Sequence, residues 1–410
     1  MRTQVVLALL VAACAAPLPD APSTHPLVIA HRGACSERPE HTLEAYRLAI
    51  EQGADFIEVD IVATRDGQLI ARHENELSHS TDIATRPRFA SRRTTKRVQG
   101  SEVTGWFSED LSLAEIKELR ATERIPDVRP ASAHHDGRFE VATLDEIIGL
   151  LQQVERETGR RAGLDVEIKN STWFAKEGTH QSGARIGLSL PQLLVDRLVA
   201  LNFTDPKRIF IQAFEVEPLV DLQRSILPAA GLDLPLLQLL GNLGDPSEPF
   251  RAPYDFRFNA RQGLHPYGTL ARCLEVPTEA AGYAQLVSPS GLRCMQRSYA
   301  EGISARKENV LLRKAARVPL DVDADTVAAV RTQLTGEVAE WIEAARSMGL
   351  LVHYWTLRDE ERFRSLGTDG QLLTFADEAR ALLALGADGL ITDHPDQAVA
   401  ARDAFIATLQ

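Results

Sequence analysis

The sequence is short of basic charge. It sets 45 Lys and Arg against 57 Asp and Glu, for a formal net charge of −12. Affinity for a nucleic-acid backbone comes from clustered cations, so a general nucleic-acid binder is excluded. The chain also lacks any internal apolar run approaching the ~20 residues that cross a bilayer, which excludes a multi-span membrane protein. It has no low-complexity tract and no solenoid period. Cysteine is scarce, at four residues. Cys14 stands apart near the N-terminus. Cys273 and Cys294 are close enough in sequence to pair, which would leave Cys35 a free thiol, although spacing alone does not supply the geometry.

The first residues follow export grammar. One Arg precedes a short apolar stretch over residues 5–13, then small residues and a Pro-rich spacer to residue 25. That reads as a signal peptide ending near residue 14, too short for a membrane helix. Val11-Ala12-Ala13-Cys14 also fits a bacterial lipobox, which would place lipid on Cys14; plain cleavage nearby is the rival. The expectation is an exported protein, periplasmic or membrane-anchored, with Cys14 as its one membrane contact.

Residues 26–410 read as one α/β barrel domain, since such barrels carry insertions on a core of ~250 residues. A repeated pattern supports this: an amphipathic helix, a small-residue stop, then a strand with a polar end. Residues 41–52 put Leu43, Tyr46, Ala49 and Ile50 on one face behind a Thr42 N-cap, and Gly53 stops the helix. Strands are predicted over 27–31, 56–60, 68–73, 164–169, 208–214, 234–240, 284–288, 351–356 and 389–393. Alternation with helices means a parallel sheet, so the fold class is a TIM (β/α)8 barrel. Nine candidates compete for eight places, so one is misread or lies outside the ring. Residues 75–130 and 241–282 are too long for plain loops and read as insertions, after the third strand and before the seventh.

Only a short turn at Asp66-Gly67 separates the second and third strands, too short for a crossover helix. As a hairpin it brings His73 level with Val59 or Asp60. Glu58 and Asp60 share one strand face, so two carboxylates and an imidazole converge. Both carboxylates lie in an apolar strand, as does Glu167, and buried carboxylates must be ion-paired or hold a cation. Three hard oxygen ligands suit Ca²⁺ or Mg²⁺ over a thiol-loving metal, and Ca²⁺ is the favoured expectation. His31 ends an apolar strand, where barrel enzymes carry catalytic side chains. A lone histidine or a salt-bridged carboxylate is otherwise the ordinary reading. Arg86, Arg88, Arg92, Arg93, Lys96 and Arg97 form a basic run in the first insertion. A solvated loop is the default there, and a funnel for anionic substrate the sharper idea.

Taken in order, several motifs resemble the glycerophosphodiester phosphodiesterases. They are His31-Arg32-Gly33-Ala34, Pro39-Glu40-His41-Thr42-Leu43-Glu44-Ala45-Tyr46, Gly53-Ala54-Asp55-Phe56-Ile57-Glu58-Val59-Asp60, Thr64-Arg65-Asp66-Gly67 and His73-Glu74, followed by Asp165-Val166-Glu167-Ile168-Lys169, Gln212-Ala213-Phe214, Trp355-Thr356 and Gly389-Leu390-Ile391-Thr392-Asp393. The run from Thr81-Asp82-Ile83 to Leu119-Arg120 resembles the insertion of larger, periplasmic-type members. The resemblance implies His31 and His73 as an acid–base pair, and Glu58, Asp60 and Glu167 as holders of a divalent metal. It implies Arg32 and Lys169 on the phosphate, Trp355 against the glycerol, and Glu40 and Gln212 in support. The implied substrate is a glycerophosphodiester. Two departures stand out: Cys35 replaces a small or hydroxyl residue, and Leu357-Arg358-Asp359 replaces Val-Asn-Asp/Glu. Both are expected to alter the pocket without touching the catalytic set. The alternatives are a phospholipase D-like or phosphoinositide phospholipase-like barrel lipase, and an exported binding lipoprotein without turnover.

Overall fold

The computed structural model describes residues 25–243, 250–320 and 330–410. The expectations for residues 1–24, including lipid on Cys14, lie outside the described residues.

Eight parallel strands close a barrel: β1 Leu27–Ala30, β2 Phe56–Ala63, β3 Gly163–Ile168, β4 Ile209–Ala213, β5 Leu236–Leu240, β6 Gly302–Arg306, β7 Leu351–Leu357 and β8 Gly389–Thr392. Each pairs with the next in chain order, and β1 pairs with both β8 and β2. Barrel strands see packed protein on both sides, which is why β2 and β3 are buried along their whole length. The floor of the interior is apolar, with Ile29, Phe56, Phe210, Leu237 and Ile391 packed together. Phe56 fits because β3 begins with Gly163, where a Cβ would fall 2.2 Å from the Phe56 ring. Further along the same strands, register pairs Glu58 with Asp165, Asp60 with Glu167 and Glu167 with Gln212. The interior thus turns polar toward the C-terminal end of the strands, where barrel enzymes carry their sites.

The second and third predicted strands do form a hairpin. Leu69–Ala71 runs antiparallel to β2 with Ala71 opposite Ile61, and stays outside the closed ring. Continuing that register sets His73 level with Val59. The helix Leu43–Glu51 follows its Thr42 cap as expected, the cap oxygen accepting from the Ala45 N–H.

One predicted strand is wrong. Tyr283–Leu286 is helical, and Ser288 caps the next helix, Pro289–Ser298. The apolar run there is flanked by Gly282 and a Ser-Pro helix start. The seventh strand along the chain, leaving hairpins inside the insertions aside, is instead β6. Its sequence Gly-Ile-Ser-Ala-Arg alternates small polar residues into the barrel with apolar ones outward, so no apolar run announces it. The first insertion keeps its expected place, while the second runs past residue 282 to β6 at Gly302. The first holds the hairpin of Thr94–Val98 and Ser101–Gly105. The second holds helix Tyr254–Arg261 and a disulfide between Cys273 and Cys294, while Cys35 is free and buried. A further hairpin, Leu311–Leu320 with Val330–Val338, was not foreseen. The basic run is largely neutralised: Arg86 pairs with Asp82, Arg88 with Glu118, Arg92 with Glu115, and Lys96 with Glu109 and Asp110. None of the six lines the main cavity.

Candidate active site

Just past β1 the chain turns sharply through Arg32 (φ 60°) and Gly33 (φ 86°). Gly33 is required there: a Cβ would sit 2.7 Å from the Ala45 carbonyl carbon. The turn delivers the Arg32 N–H to Glu58 Oε2 at 2.9 Å and its guanidinium to Glu40 at 2.9 Å. Arg32 Nε also stands 3.4 Å from Asp60. His31 Nδ1 meets Asp393 Oδ1 at 2.5 Å, leaving Nε2 for the cavity. Asp393 is held in turn by Arg129 from the first insertion and by Arg358 at 2.5 Å.

Glu58, Asp60 and Glu167 bring ligand oxygens within 4.8 Å of one another, all three buried. Lys169 Nζ reaches Glu167 at 2.6 Å and Asp60 at 3.6 Å. His41 (φ 60°), fully buried, bridges Asp60 at 2.9 Å and the Tyr46 hydroxyl at 2.7 Å. These cations do not balance the cluster. Burial, then the charges of Asp60 and Glu167, pushes the Glu58 carboxyl well above the usual range. Burial, opposed by Lys169 and reinforced by Asp60, pushes Glu167 to about 8. Asp60 stays low despite burial because Lys169, His73 and His41 surround it. Carboxyls that crowd together and resist ionisation want a further cation, and an all-oxygen set fits a hard divalent one. A second group, His31, Cys35 and Asp393, is equally close-set, but Asp393 is already engaged by two guanidiniums.

His73 follows the hairpin strand, and its Nδ1 faces the Glu74 carboxylate. Arg124 spans Glu40 at 3.3 Å and Glu74 at 3.6 Å. Burial, then Arg32, lowers His31 to about 3. Burial, then Arg32 and Lys169, lowers His73 to about 4. Both imidazoles are therefore neutral at pH 7, in surroundings poised for an anion.

All of this opens on one cavity of about 370 Å³, which His31, Arg32, Glu58, His73, Glu167, Lys169, Gln212 and Trp355 line together. Asp60 and Glu40 lie just behind it, fully or almost fully buried. The whole predicted set is thus in one place. Sequence reading gave no role to His41 or Asp393, although both stand inside the quoted motifs, and none to Arg129, whose partners lie far away in the chain. The two departures leave the predicted set untouched and reach its support instead. Arg358 grips the carboxylate that holds His31, and Cys35 Sγ lies 3.3 Å from Arg129 Nη1. Both therefore abut the support of His31.

Comparison with known proteins shows the family and the fold. A glycerophosphodiester phosphodiesterase of Arabidopsis thaliana is 28% identical over 406 residues, covering 95% of this chain and 92% of that protein. One from Haemophilus influenzae is 31% identical over 223 residues, covering 52% of this chain and 56% of its own. Among solved structures, a phosphodiesterase of Oleispira antarctica in complex with the product sn-glycerol-3-phosphate shares the fold, with a TM-score of 0.50, 16% identity, and coverage of 93% of this chain and 98% of that one. The model of the glycerophosphoryl diester phosphodiesterase family matches residues 31–250 and 301–397, and the chain belongs to that family.

Proposed function

We propose that this protein hydrolyses glycerophosphodiesters to an alcohol and glycerol phosphate, with a divalent cation, Ca²⁺ ahead of Mg²⁺, on Glu58, Asp60 and Glu167. The observation that carries this reading is the shared site: two imidazoles and the Arg32 and Lys169 cations meet at one cavity backed by the close-set carboxylates of Glu58, Asp60 and Glu167. A phosphodiester anion repels nucleophiles. Arg32 and Lys169 offset that charge, and a bound divalent cation supplies further electrostatic stabilisation of the phosphoryl oxygens. One imidazole takes the proton of the attacking oxygen as its bond to phosphorus forms; that oxygen belongs to water, or to the substrate's own glycerol hydroxyl, in which case water later opens the cyclic phosphate. The P–O bond to the alcohol breaks, and the other imidazole, charged by proximity to the anion, gives the departing oxygen its proton. Asp393 keeps His31 oriented, and Trp355 packs on the glycerol.

The test is turnover of glycerophosphocholine with and without divalent metal. Chelation should abolish activity reversibly, and added Ca²⁺ should raise the melting temperature, because a ligand of the folded state stabilises it by mass action. Glu167→Gln should weaken both effects together. Full activity at negligible metal content would refute the mechanism. A binding lipoprotein would show no turnover, and a barrel lipase would prefer intact lipids.

For location, the reading is export with lipid on Cys14. The Cys273–Cys294 disulfide supports an oxidising compartment. Wild-type protein should fractionate with membranes and a Cys14→Ser variant should not; a fully soluble wild type counts against the anchor.

A further inference from the structure

The cavity has a second half that the phosphate chemistry leaves unused. Phe214, Phe250 and Tyr283 form an aromatic wall that continues from Trp355 on the glycerol side. Phe214 meets Phe250 edge-on at 4.6 Å between centroids and Trp355 at 5.7 Å, and Phe250 lies 5.8 Å from Tyr283. The wall begins at the phosphate end, where Lys169 Nζ stands 5.7 Å from the Phe214 ring centre.

Glu215 also lines this cavity, just beyond β4, and is only 3% exposed. Its Oε2 accepts from the Thr172 N–H at 2.8 Å and hydroxyl at 2.5 Å, and its Oε1 accepts from Gln99 Nε2 at 2.8 Å. All three donors are neutral. Among the described residues no Lys, Arg or His forms an ion pair with it, and its charged neighbours include two further acids, Glu217 and Asp255. Tyr283 lies in the field of both Glu215 and Glu167. A buried carboxylate without a counter-charge is costly, and burial pushes this one up to about 7. An occupant that brings a positive charge removes the cost. Ring faces beside a carboxylate whose oxygens are already hydrogen-bonded offer charge and polarisable surface rather than directed acceptors. That combination recognises a methylated ammonium. A hydrocarbon chain would fit the rings but would leave Glu215 desolvated and unpaired.

We propose that Glu215 and the wall of Phe214, Phe250 and Tyr283 bind a quaternary-ammonium head group on the leaving alcohol, making choline-type glycerophosphodiesters the preferred substrates. This rests on the glycerophosphodiester reading above. The holoenzyme should show kcat/KM about tenfold or more higher for glycerophosphocholine than for glycerophosphoglycerol, and Glu215→Gln should collapse that ratio. A purely structural role, through Thr172 and Gln99, would lower both substrates and leave the ratio intact, which overturns the proposal. If the variant does not fold, the wild type decides. Free choline should inhibit glycerophosphoglycerol hydrolysis at least about tenfold more strongly than its neutral tert-butyl isostere, and equal inhibition overturns the proposal. Turnover of both diesters without preference, or preference for long-chain lysophospholipids, overturns it while the hydrolase reading stands. Turnover of neither overturns both.

Discussion

At the scale of single residues, the site depends on side chains whose ionisation their neighbours decide. His31→Ala and His73→Ala should each cost about 10²–10⁴ in turnover with the fold intact by circular dichroism. Near-normal rates in either variant would remove that residue from the chemistry. His353 makes a separate case. It sits inside the barrel, fully buried, with neither ring nitrogen hydrogen-bonded and its ring 5.0 Å from Phe210. Burial alone lowers its pKa to about 3. Above the ordinary histidine value, near 6.5, neither the folded nor the unfolded chain binds this proton, and His353 has no effect on stability. Between 6.5 and about 3 only the unfolded chain binds it, so stability falls as pH drops, on the order of 1.4 kcal/mol per unit. His353→Leu should remove this contribution and move the acid-unfolding midpoint to lower pH. An unchanged midpoint would show that His353 finds a partner in solution. The sequence made His31, His73, Glu58, Asp60 and Glu167 legible because strand-end histidines and carboxylates in apolar strands conflict with simple burial. It hid Asp393 because that residue's bond to His31 joins positions 362 apart. His353 was hidden because a histidine in a buried strand looks the same whether or not it has a partner.

At the scale of elements, the turn after β1 does more than end a strand. Its left-handed Arg32 and Gly33 place one N–H on Glu58 and pack against the first helix at Ala45. Gly33→Ala should force that turn open. The expected loss is about 1–3 kcal/mol from the backbone conformation alone, more from the contact with Ala45, together with a fall in turnover as Arg32 leaves Glu58. Wild-type melting and activity in this variant would contradict the placement. Elements with strong local signals were readable: the Thr42 cap, the Asp66-Gly67 hairpin, and the strands around Glu58 and Glu167. β6 was not, because a strand that presents glycine and serine to the barrel interior carries no apolar run. The helix at Tyr283–Leu286 was mistaken for it because a short buried segment has too few residues to show its period.

At the scale of the molecule, the barrel class followed from alternation, and the insertions from lengths that no loop explains. What the insertions do was not legible, since it depends on contacts between distant segments: Arg129 on Asp393, Gln99 on Glu215, Tyr254 on Glu177. The closed ring also has a polarity along the chain. Residues 31–169, ending with β3, contain both histidines, all three metal-seeking carboxylates and both phosphate-seeking cations. Residues 210–355 contain the aromatic wall and Glu215, and the last strand returns to steady His31 through Asp393. The bond-breaking equipment and the surface that greets the departing alcohol are therefore encoded in separate stretches. A lineage can exchange or erode the second stretch and inherit a new diet, while the first continues to cut the same bond.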